Sequence, residues 1–128
     1  MVAIYQVWKN TEQSITTFED SISKEYRDIS KCILYNALIG KNLVSEEVNQ
    51  ASNEIYNYMD FCNEQIFLRK TGRVRKSTWN NWQEGMCTNF SLPKFESVSK
   101  EVFEELPDTF TELRRVMAQN YKTDPKKW

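Results

Sequence analysis

Residues 45–70 read SEEVNQASNEIYNYMDFCNEQIFLRK, and everything else in the chain is most easily placed relative to them. Val48, Ala51, Ile55, Met59, Cys62 and Ile66 recur at spacings of three and four, which puts them on one face of a helix. Tyr58, Phe61 and Phe67 widen that stripe. Ser45 is placed to cap the start, its hydroxyl accepting an orphan backbone N–H, with Glu46 and Glu47 at the positive end of the helix dipole. The helix is expected to reach about Lys70 and to stop at Gly72.

Upstream, Ile15, Phe18, Ile22, Ile29, Ile33, Leu34, Ala37 and Leu38 mark a helical face between Thr11 and Leu38, with a possible break near Ser23. Gly40 and Asn42 supply its stop. Downstream, Trp79, Trp82, Met86 and Phe90 share one face of a third helix. Pro93 suits the first turn of a fourth, with Phe95, Val98, Val102 and Phe103 inward. Leu106-Pro107 interrupts it, and a last helix carries Phe110, Leu113, Met117 and Tyr121. No segment alternates with period two. The expected fold is all-α, a compact bundle of about five helices over residues 11–122, with 123–128 as a frayed tail.

The composition agrees. The 128 residues include only three glycines and three prolines, and the 40% hydrophobic and 13% aromatic fractions are enough for a core. A net charge of −1 gives no general attraction to nucleic acid, so no DNA partner is expected. The absence of histidine removes the usual general base and the commonest metal ligand. Cys32, Cys62 and Cys87 are widely separated and form no CxxC pair, so they read as small apolar residues in a reducing compartment. No metal, cofactor or catalytic residue is assigned, and no nucleophile-elbow, phosphate-loop or dinucleotide motif is present.

Residues 1–10 have two readings. Met1-Val2-Ala3-Ile4-Tyr5-Gln6-Val7-Trp8-Lys9 is either an ordinary first helical turn or the end of a truncated membrane helix. In the second case Tyr5 and Trp8 lie at the interface and Lys9 on the cytoplasmic side. The stretch itself is shorter than the roughly 20 residues a span needs.

The most distinctive local chemistry is Arg69-Lys70-Thr71-Gly72-Arg73-Val74-Arg75-Lys76, five cations without an acid, followed by Trp79, Asn80, Asn81 and Trp82. Cations neutralise phosphate oxygens, a helix start adds fixed N–H donors, tryptophan offers a stacking face and asparagine can read an adenine edge. The competing reading is a solvated corner beside core tryptophans, its cations complementing a helix dipole. Arg75 stands where a helix start prefers Asp, Ser, Thr or Asn, a broken local rule, although Ser77 or Thr78 can cap a later start. The acidic residues Glu101, Glu104, Glu105, Asp108 and Glu112 follow surface spacing and read as a solvated face, or as a counterpart to the basic corner of another subunit.

The stretch from Met59 to Val74, with Trp79-Asn80-Asn81-Trp82-Gln83-Glu84-Gly85-Met86 after it, resembles a group of small bacterial proteins of uncharacterised function. These pair one or two N-terminal membrane helices with a helical cytosolic domain. Their pattern is a cysteine and acid, an apolar-aromatic pair, a K-x-G-R-I/V turn, then W-x-x-W-x-x-G-M. The likeness covers about Asn57 to Pro93 and departs at Arg75, where the group has a capping residue, and at Gln65, where it often has a second acid. In layout the chain is also similar to the membrane-anchored accessory effectors of type III CRISPR defence. That resemblance implies a non-enzymatic sensor of a cyclic oligoadenylate, cyclic tetra-adenylate above all. It would sit at the cytoplasmic face of the bacterial inner membrane and relay binding to a transmembrane segment outside this sequence. The ligand would sit on the axis of a homo-oligomer, a tetramer, with Arg69, Lys70, Arg73, Arg75 and Lys76 on phosphates, Asn80 or Asn81 on adenine and Trp79 or Trp82 stacking. The alternative is a scaffold domain docking an acidic protein or anionic lipids.

Overall fold

The described residues form six α-helices and a closing 3-10 turn: α1 (Val2–Cys32), α2 (Tyr35–Leu38), α3 (Ser45–Lys70), α4 (Lys76–Phe90), α5 (Pro93–Glu105), α6 (Thr111–Ala118) and the turn Pro125–Lys127. They come from a computed structural model that describes residues 2–33 and 35–128, with side chains from residue 11 onward. No strand occurs among the described residues, and the fold is all-α.

Helix α3 is the axis of the bundle, in contact with α1, α4, α5, α6 and the closing turn. Its sequence explains why. Ala51, Ile55, Met59, Cys62 and Ile66 form the expected stripe, and Tyr58, Phe61 and Leu68 bury a second side of the same cylinder. Ile55, Met59 and Ile66 are fully enclosed, each contributing about 1.5–3 kcal/mol from burial. Phe67 departs from the expectation: it points out and is 49% exposed, because it falls on the one face of α3 left to solvent. The start of α3 also differs by one residue. Val44 is the N-cap, and its N–H donates to the Glu47 carboxylate at 3.3 Å, so the capping oxygen comes from Glu47 and not from Ser45.

Helix α1 runs unbroken through Ser23, a residue a helix interior tolerates. The chain turns instead after Cys32; Leu34 lies outside the described residues. Met1 and the side chains of residues 2–10 do so too, and with them the reading of this segment as the end of a membrane helix. Among the described residues no helix is long and apolar enough to cross a membrane.

The tail is a correction. Residues 123–128 are docked against α3 and α4, not frayed. Pro125 is buried, Trp128 packs on the core, and the Arg115 guanidinium lies 4.3 Å from the centre of a Trp128 ring. The Trp79 indole N–H donates to the Thr123 carbonyl at 2.9 Å, and the Thr123 N–H donates to the Gln83 side chain at 3.0 Å. A buried indole N–H needs such an acceptor, and the tail supplies it.

Candidate functional site

The basic corner is brought together only in part. Arg69 is 5% exposed and turned inward. Its Nε and Nη2 donate to the two carboxylate oxygens of Asp124 at 2.8 and 2.9 Å, and its Nη1 donates to the Val74 carbonyl at 2.9 Å. This fork holds the Asp124 carboxyl below the usual carboxylate range. Arg69 therefore pins the tail and offers no free donor fork to a phosphate. Trp79 is fully buried and has no face left for stacking. Lys70 pairs with Glu112 of the same chain at 3.6 Å. Arg73 lies over the Phe18 ring, 4.6 Å from its centre. Lys76 and Asn80 are exposed.

Arg75 is also committed, and its partners explain the broken capping rule. Its backbone N–H donates to Glu19 Oε2 at 2.9 Å, and its guanidinium donates to Glu19, Glu12 and Thr16 at 2.9–3.1 Å. Helix α1 thus supplies the carboxylate that the start of α4 lacks in its own sequence.

That clasp borders a cleft of about 420 Å³ between α1 and α4, with α3 as its floor. The wall from α4 is Thr78, Asn81, Trp82 and Gly85, positions spaced i, i+3, i+4, i+7 on one face. Helix α1 contributes Thr16, Glu19, Asp20, Ser23, Tyr26 and Arg27 by the same periodicity, and α3 contributes Tyr58 and Gln65. The Asn89 amide closes the network behind the two tyrosines, donating to Tyr58 Oη at 2.9 Å and to Tyr26 Oη at 3.4 Å. Burial pushes the Tyr58 hydroxyl well above its ordinary value of 10.0, so it stays protonated. Glu19 and Asp20 balance Arg27 and Arg75, leaving the lining without net formal charge. No histidine or cysteine lines the cleft, so it lacks the usual base and thiol nucleophile.

Gln65 is the anomaly in this cleft. It is 3% exposed, yet its amide has no hydrogen-bond partner among the described residues. Every fully enclosed side-chain nitrogen or oxygen described is satisfied, so the Gln65 amide owes its remaining access to the cleft it lines.

Of the residues expected to bind ligand, Arg75 and Asn81 line the cleft, together with Trp82. Arg69, Lys70, Arg73, Lys76, Trp79 and Asn80 do not. Gln65 and Gly85 stand in the stretch that carries the resemblance but were not expected to bind ligand, and neither was Tyr26; the available signals were a glutamine inside an apolar face and a glycine inside a helical stretch. Compared with known proteins, the chain matches no family model, no curated protein and no solved structure.

Proposed function

We propose that this chain is a non-enzymatic sensing domain that takes a planar, nucleobase-like ligand in the cleft between α1 and α4. The observation that carries this reading is the Gln65 side chain, 3% exposed overall and without a protein hydrogen-bond partner among the described residues, in the lining of a cavity of small-molecule size. An amide matches an edge that presents a donor beside an acceptor, as adenine does, while Trp82 and Tyr26 offer aromatic surface and Asn81 a second amide. A cyclic oligoadenylate remains the specific ligand we favour from the resemblance. In that case each copy of the chain holds one base, and the phosphates fall toward exposed Arg73 and Lys76, sequence neighbours of Arg75 at the start of α4. Arg69 and Trp79 have no part in it.

Calorimetric titration with cyclic tri-, tetra- and hexa-adenylate tests this. Binding of one ring size, abolished by Gln65→Leu, is the expected result. Leucine at an unpaired amide should leave the fold as stable as before. Absence of heat with every ring size overturns the second-messenger reading.

One further observation favours docking on an anionic surface as a second reading. The tail brings the Lys126 side chain beside Gly72, within 3.5 Å of where a Cβ would stand, so Lys126 joins the exposed cations of the corner. Co-sedimentation with phosphatidylserine vesicles that falls with salt would support it; salt-independent or absent binding would exclude it.

A further inference from the structure

The glycine in the wall of the cleft has no structural reason to be one. Gly85 lies ten residues into the fifteen of α4, where glycine is the least favourable residue after proline. Its φ is not positive; among the described glycines only Gly40 and Gly72 take that conformation. Close packing does not require it either, since a Cβ built there meets no heavy atom within 4 Å apart from its chain neighbours and its own helix backbone. Glycines inside helices ordinarily answer one of those two demands. What the residue does achieve is to leave the α4 backbone bare at the cleft, one turn from Asn81 and Trp82.

We infer that Gly85 is the specificity-determining position of the site: the ring of a planar nitrogen heterocycle lies flat against its Cα while the ring edge meets the Gln65 amide. This rests on the reading of the cleft as a ligand site and adds the ligand's shape and class. The two features are independent, one a helix position left empty and the other an amide without a protein partner that reaches the open cleft, and they line the same cavity. A ring against Gly85 occupies the volume a methyl group would take. Even alanine therefore excludes it, although nothing in the protein itself objects to alanine. The cleft's balanced charge fits a neutral base better than a phosphate, which places the recognised chemistry on the heterocycle and not on the anion.

The experiment combines thermal unfolding with calorimetric titration of AMP, GMP, CMP and UMP into the parent chain, Gly85→Ala, Gly85→Leu and Gln65→Leu. The inference expects Gly85→Ala to raise Tm by about 3–4 °C, from helix propensity alone. The same change should weaken the best-bound nucleotide at least tenfold, and Gly85→Leu should abolish its binding. Stability and affinity moving in opposite directions is the signature of a glycine kept for a ligand. Unchanged affinity in Gly85→Ala, with loss in Gln65→Leu, overturns the role of Gly85 and leaves the cleft as the site. A fall in Tm for Gly85→Ala overturns it also, since the space would then be occupied by protein. No binding of any nucleotide to the parent chain overturns both this inference and the nucleobase reading on which it rests.

Discussion

Replacing Asp124 by alanine removes both carboxylate acceptors of the Arg69 fork and leaves a guanidinium whose side chain is only 7% exposed with the Val74 carbonyl alone. Asp124 is itself 13% exposed, so water reaches little more than the rim of the pair. Breaking a pair this deeply buried from one side costs about 3–5 kcal/mol, most of it the penalty of the stranded charge. Asp124 also accepts from the Lys126 N–H at 3.2 Å, and its loss frees the turn that carries Pro125 and Trp128. We take about 3 kcal/mol as the expected loss. For 128 residues that corresponds to a fall in Tm of about 11 °C. Urea unfolding monitored by circular dichroism measures it directly, with an unchanged m-value as the control for two-state behaviour. The pair also sets its own control: Arg69→Met in the Asp124→Ala background should recover part of the loss, because an apolar side chain removes the unpaired charge. A loss below about 1 kcal/mol, the scale of a solvent-exposed ion pair, would refute the docked tail and with it the structural role of Arg69.

Three other predictions concern the same scaffold. The folded Asp124 carboxyl lies below its ordinary value of 3.8, so its contribution is full above that value and is lost as pH falls through the lower folded one. Asp124→Asn should flatten the acid limb of a stability-versus-pH profile, and an unchanged limb would count against the Arg69 pairing. Among the thiols, Cys32 is exposed while Cys62 is fully buried and pushed by that burial up to about 12. Maleimide labelling at neutral pH should modify Cys32 in the native state and Cys62 only after unfolding; rapid native labelling of Cys62 would contradict the central position of α3. Finally, Arg75→Ala removes the guanidinium bonds to Glu12, Thr16 and Glu19, so hydrogen exchange in α1 should accelerate while α5 and α6 stay protected. Equal acceleration throughout the chain would mean that the clasp is not local to α1.

Much of the fold was legible from periodicity. The Ala51–Ile55–Met59–Cys62–Ile66 stripe, the Trp79–Met86–Phe90 face and the breaks at Gly72 and Leu106-Pro107 are local patterns, and a helix answers to residues three and four positions away. Which cations were free was not legible in the same way. Arg69 and Arg73 sit in one basic run, yet the first is consumed by Asp124, 55 residues on, and the second lies over Phe18. The two unusual helix starts follow the same logic. Arg75 begins α4 with a carboxylate borrowed from Glu19. Phe110 begins α6 in a left-handed conformation at φ 52°, and Asn63 of α3 accepts the Leu113 N–H there at 3.0 Å. A local reading registers each as a missing cap, because the compensating oxygen is 50 or more residues away.

The sequence alone determined most helix positions and most of the faces that turn inward, since backbone hydrogen bonding and hydrophobic burial act over single turns; Phe67, the unbroken α1 and the docked tail were set by packing. Only the tertiary structure decided which polar groups are spent on one another, because charge pairing depends on distances that chain separation does not encode. Arg69 and Arg75 are thereby held by carboxylates of the same chain, while the Gln65 amide and the bare backbone at Gly85 line the open cleft on which the proposed function rests.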